Sequence, residues 1–132
     1  MTDFDSDIAV LLPTRGRTTM VERSVRSLFE LAENPESIEI IFAYDNDDAT
    51  GFDYFKKTVC PWMDANNVTY SAMRFEPMGY IQLNKYVNAM AKTTKSKWYI
   101  IWNDDAVMRT VGWDNEIRAQ NNNFNQIGRA HV

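Results

Sequence analysis

Three polar clusters hold the residues of this chain that could do chemistry. The sharpest is Asn103-Asp104-Asp105, an amide and two adjacent carboxylates directly after the apolar run Trp98-Tyr99-Ile100-Ile101-Trp102. Such oxygen donors suit a hard cation, Mg²⁺ or Mn²⁺, which commonly binds through one or two carboxylates and the phosphates of a substrate. The second cluster, Asp45-Asn46-Asp47-Asp48, follows the apolar run Ile38–Tyr44. An acid at such a strand end can accept hydrogen bonds from ribose hydroxyls. The third, Thr14-Arg15-Gly16-Arg17, follows Ile8–Pro13 and leads into a helix. A helix N-terminus with two guanidiniums beside it suits a phosphate. The same residue types also build ordinary solvated turns. What favours a site is that all three clusters stand immediately after buried-strand patterns. Neither the P-loop nor the dinucleotide glycine fingerprint occurs anywhere in the chain.

The elements that must position these clusters can be read from periodicity. Ile8–Leu12 is a continuous apolar run, the pattern of a strand covered on both faces of a parallel sheet, and Ile38–Tyr44, apolar but for Glu39, reads as a second buried strand. Val21, Val25, Leu28, Phe29 and Ala32 form one helical stripe, with Thr19 and Glu22 at capping-box spacing before it and Asn34-Pro35 after it. Phe52–Val59 is expected to be a short helix ending before Pro61. Val68–Phe75 is expected to be a third strand, and Trp98–Trp102 a fourth. Between them Tyr80, Leu83, Val87, Met90 and Ala91 repeat at helical spacing; the chain from Val111 onward is weakly patterned. Strands alternating with helices imply a parallel α/β sheet, in which ligands bind at the carboxyl ends of the strands. The three clusters are therefore expected to meet in one crevice.

Composition narrows the field. The chain has 132 residues, 45% of them apolar, enough for one domain with a core. A net charge of −4 offers no broad attraction for nucleic acid or anionic lipid. One Cys and one His, the latter at position 131, leave little for disulfides, cysteine metal sites or a Ser-His-Asp triad. No apolar run approaches the roughly 20 residues of a membrane span, and the acidic start lacks the basic opening of a signal peptide. The expected compartment is the cytoplasm.

Taken in order, these pieces resemble a family 2 glycosyltransferase with the GT-A fold, from Ile8 to about Trp113. Ile8–Arg17 is similar to that family's opening strand and nucleotide-contacting turn, and Ile40–Asn46 to its second strand ending in an acid near the nucleoside. Gly79 and Asn84 are similar to a glycine and a following helical asparagine. Tyr99–Asp105 resembles the strand carrying Asp-x-Asp, with Asn103 in place of the first acid, and Trp113-Asp114 a common element after it. The resemblance implies a Rossmann-like α/β/α fold with a mostly parallel central sheet. It implies a nucleotide-diphosphate sugar donor contacted by Pro13, Thr14, Arg15, Arg17, Asp45, Gly79, Asn84, Asn103 and Asp104. It further implies a Mn or Mg cation on Asp105 and Asp104, and an acceptor that stays unknown. The family's catalytic base, an Asp or Glu, stands well downstream of Asp-x-Asp, whereas this chain stops 27 residues after Asp105. The expectation is a donor-binding portion, residues 1–126, inactive alone, with the C-terminal part of the fold missing. The tail, 127–132, reads like a translated sequencing adapter and is taken as non-native. Two other readings stay open: a non-catalytic nucleotide- or sugar-binding module, and a nucleotidyltransferase.

Overall fold

In the computed structural model, residues 6–76 and 83–120 are described. Four strands, β1 (Ser6–Thr14), β2 (Ile38–Asp45), β3 (Thr69–Phe75) and β4 (Ser96–Ile101), form one sheet in the order β3-β2-β1-β4. Every pairing is parallel. β1 is central, pairing with β2 from Ile8–Ile38 to Thr14–Tyr44 and with β4 from Ser6–Ser96 to Leu11–Ile101. This explains why its apolar run is unbroken: both faces and both edges are covered. β3 lies at an edge and is mostly exposed or half-buried, matching its weaker pattern.

The helices divide between the faces. α1 (Thr19–Glu30), α2 (Ala49–Tyr54), a π-helical turn (Phe55–Val59), α3 (Cys60–Ala65) and α5 (Trp113–Arg118) cover one side. There Ile8, Val10, Leu12, Ile40, Phe42 and Trp98 pack against Val25, Leu28, Phe55, Met63 and Ile117. On the other side α4 (Leu83–Ala91) places Tyr86 and Met90 over Ala9, Leu11, Ile41 and Ala43. The result is a three-layer α/β/α arrangement. Burial of each large core side chain is worth about 1.5–3 kcal/mol. Helices as short as α2 and α5 cannot stand alone in water, so packing on the sheet is what holds them.

Three local expectations give way. The helix after the second strand does not end before Pro61: helical backbone runs from Ala49 to Ala65. The Cys60 N–H bonds to the Phe55 carbonyl, a five-residue step. This wider turn just ahead of Pro61 makes room for a ring that would otherwise meet the preceding turn. The capping box at Thr19 and Glu22 does not form; Thr18 caps α1 without a side-chain bond. Glu22 instead accepts from Tyr54 at 2.6 Å and pairs with Arg26 at 2.8 Å. Finally, the weakly patterned region after Val111 contains α5, whose apolar signal is only Trp113 and Ile117. The fourth strand's Trp98 is core, Trp102 just beyond it is half-buried, and the exposed apolar side chain of the strand is Ile101.

Candidate functional site

The strand order creates a topological switch. β1 leads through α1 to β2 on one side, while β4 returns through α4 to the other side of β1. α1 and α4 lie on opposite faces, and in open α/β sheets the carboxyl ends of the two strands flanking such a switch, here β1 and β4, are where ligands bind. Thr14, the last residue of β1, is buried there and donates from Oγ1 to Asp104 Oδ2 at 2.7 Å. Arg17 Nε lies 3.6 Å from the other oxygen of Asp104. The turn carrying Asp104 is anchored from behind. The Trp102 N–H bonds to the Leu11 carbonyl, its indole Nε1 donates to Ser24 Oγ at 2.7 Å, and the Asn103 carbonyl accepts from Ala106 N–H.

The acidic cluster after β2 meets the Thr14–Arg17 turn one strand over. Arg15 Nη1 donates to Asp45 Oδ2 at 2.6 Å, and the same guanidinium holds Asp47 through bonds of 2.5 and 3.1 Å. Asp47 first, then Asp45, keep Arg15 even more firmly protonated than usual, and Arg15 in turn holds the Asp47 carboxyl below the usual range. Asp45 is buried, and Tyr86 of α4 donates to its Oδ1. Asp48, also buried, accepts from the Gly16 N–H at 2.7 Å and from the Gly51 N–H at 3.1 Å, capping α2 while it clamps the Arg15–Arg17 turn. Gly16 takes φ +68° in that turn, a conformation glycine reaches without strain.

Of the residues singled out by sequence, Thr14, Arg17 and Asp104 thus form one bonded group and Arg15 and Asp45 a second, the two joined through the Thr14–Arg17 turn into one polar floor. Pro13 lies half-buried within β1. Asn103 and Asp105 are exposed in the turn beside Asp104. Asn84 lies in the first turn of α4, and Gly79 lies outside the described residues. Three residues were missed: Asp48, Tyr86 and Asp47, which grips Arg15 through two bonds. Asp48 stood inside the acidic cluster with nothing in its type to mark it off. Tyr86 had a signal, three residues after Leu83 and four before Met90 on the same helical stripe.

A divalent cation fits this floor only in one manner. Among the described residues no three His, Cys, Asp or Glu side chains gather as a cage. Asp104 is already held by Thr14 and Arg17, while Asp105 is an exposed carboxylate. That donor set matches a cation taking one or two carboxylates and completing its shell with phosphate and water.

Asp114, the acid after β4, is not part of the floor. It is fully buried and accepts from the Glu33 and Asn34 N–H groups, both at 2.9 Å, and from Arg118 at 2.6 Å. Burial opposes its ionisation, but those donors together hold the carboxyl below the usual range. Its neighbour Trp113 donates to the Leu28 carbonyl. Both residues tie α5 to the end of α1, towards the amino ends of β1 and β2, where Arg118 also reaches Asp7 and Ser37.

No family model and no curated protein matches the chain. Solved structures do. Residues 1–349 of S. aureus TarS superpose with a TM-score of 0.66 at 12% identity, over 85% of this chain and 31% of that one. The same fragment in complex with UDP-GlcNAc gives 0.61 at 13%, over 86% and 30%. The mannosyltransferase PcManGT from Pyrobaculum calidifontis, in complex with GDP-Man and Mn²⁺, gives 0.65 at 13%, over 83% and 32%. These neighbours are glycosyltransferases, and the chain has their Rossmann-like α/β fold while spanning about a third of their length. Among the described residues no helix is long and apolar enough to cross a membrane.

Proposed function

We propose that this chain is the donor-binding portion of a metal-dependent, inverting family 2 glycosyltransferase of the GT-A fold, acting on a nucleotide-diphosphate sugar. The observation that carries the reading is the joined floor: Thr14 to Asp104 across the β1–β4 switch point, and Arg15 to Asp45 beside it. Nucleotide-sugar complexes of proteins with this fold support it.

In this reading Asp45 accepts hydrogen bonds from the nucleoside, and Asn103 and Asp104 contact the ribose. Arg15 and Arg17 face the diphosphate, where a guanidinium can bond two oxygens at once. Pro13 and Thr14 set the height of the turn, and Gly79 and Asn84 complete the nucleotide contacts. Asp105 and Asp104 would hold Mn²⁺ or Mg²⁺, whose chemistry is to stabilise the leaving diphosphate. The reaction also requires a base to take the acceptor's proton. Asp114 does not serve: it is fully buried, bonded to three donors and set towards the amino ends of the strands.

Calorimetry with UDP and GDP, with and without Mn²⁺, tests the reading. One of the two should bind, more tightly with the cation, because diphosphate and carboxylate repel each other until it is present. Asp105→Ala should abolish the metal dependence, while Asn103→Ala, which removes a neutral bond, should weaken binding less. Equal affinity with and without Mn²⁺ overturns the metal-dependent assignment, and no binding of either nucleotide overturns the donor site.

A further inference from the structure

The carboxylate assigned to the nucleoside is covered in this structure. Asp45 is 6% exposed, with Tyr86 on Oδ1 and Arg15 on Oδ2. Tyr86 is fixed from below: its ring stacks on Phe75 with centroids 4.9 Å apart, and it sits in the core beneath α4. Arg15 is the movable partner. Its side chain is 57% exposed, so it can swing away without disturbing the core. It does not rest on Asp45 alone, because Asp47, itself 51% exposed, grips the same guanidinium through two bonds.

We propose that Arg15 is a specificity-determining latch: it stays on Asp45 and Asp47 until an anionic group of the ligand takes it over. The site then admits nucleoside diphosphates and resists bare nucleosides. The inference rests on the donor-binding reading and adds to it a basis for selection. A diphosphate offers the guanidinium the same paired oxygens that Asp47 offers, so the exchange swaps one charge-assisted contact for another. A nucleoside has no anion. To reach Asp45 it must break the Arg15 contact with nothing to replace it, and bonds to charged groups are the costly ones to lose. Asp47 competes with the ligand for Arg15, and removing its charge should help binding.

The test measures UDP, GDP, uridine and guanosine by calorimetry in Mn²⁺ on the full chain and on Arg15→Ala and Asp47→Asn. Arg15→Ala should weaken the diphosphate by on the order of tenfold or more and strengthen the matching nucleoside, so that the preference between them falls by about a hundredfold. Asp47→Asn should tighten the diphosphate by about threefold. Its exposed position keeps the experiment readable if a thermal melt shows that Arg15→Ala does not fold. A purely structural role for Arg15 would shift diphosphate and nucleoside in the same direction. That parallel shift, or a weaker diphosphate in Asp47→Asn, overturns the latch while leaving the donor site standing. A wild-type chain that binds neither UDP nor GDP overturns the donor site and the latch together.

Discussion

Asp48 should matter more to this protein than any other residue of its acidic cluster, and the amount can be worked out. Its carboxylate accepts two N–H groups, Gly16 at 2.7 Å and Gly51 at 3.1 Å, and it is 8% exposed. Asp48→Ala removes the cap of α2, which costs about 1 kcal/mol. It also gives the exposed Gly16 N–H back to water, and losing that charge-assisted bond costs about 1 kcal/mol more. The sum, about 2 kcal/mol, corresponds in a domain of this size to a fall in Tm of about 8 °C. Asp48→Asn separates the two contributions. Both partners are donors, and an asparagine has one acceptor oxygen and one NH₂. It can satisfy only one of them, so it should lose about half as much, about 4 °C. Thermal melts followed by circular dichroism read both variants, with nucleotide affinity measured alongside, since a loosened Arg15–Arg17 turn should bind UDP or GDP less well. If Asn matches Asp in Tm, or if Ala costs less than 1 °C, the double clamp is not what holds this turn.

Gly51→Ala should produce the same defect from the other side. Alanine usually stabilises a helix over glycine by about 1 kcal/mol, but here the added Cβ would stand 2.5 Å from Asp48 Oδ2, so a lowered Tm is expected and a raised one refutes the contact. Asp114 sets an acid limit. Its carboxyl is depressed in the folded state, so its contribution is complete above the ordinary aspartate value of about 3.9 and drains away as pH falls through the lower folded value. Asp114→Asn should therefore destabilise the chain at pH 7 by about 2 kcal/mol, through lost charge-assisted bonds, and flatten the acid limb of a stability–pH curve. An unchanged acid limb would assign that loss to other carboxylates.

The parts of the fold that were legible from sequence are those whose signal is one-dimensional. Ile8–Leu12 is apolar without interruption, and Ile38–Tyr44 apart from Glu39, because both faces of β1 and β2 are covered, and the polar clusters after them mark the strand ends. What was not legible depends on partners distant in sequence. Glu22 has the spacing of a cap, but Tyr54, 32 residues on, takes its carboxylate. Pro61 reads as a helix stop only if the turn before it has the usual width. In the site, the positions of Thr14, Arg15 and Asp45 followed from strand ends alone. The pairing of Arg15 with Asp45 and Asp47, the clamp by Asp48 and the reach of Tyr86 from α4 required the folded backbone.

Tyr86 gives α4 a second office. The helix is the cover of one face of the sheet among the described residues, seated through Tyr86 and Met90, and one of those two seats is bonded to Asp45. Any ligand that grips Asp45 better when Tyr86 is in place must, by thermodynamic reciprocity, hold α4 down on the sheet. Occupancy at the strand ends is then legible far from the crevice, as slower amide hydrogen exchange along α4, in proportion to ligand concentration over Kd.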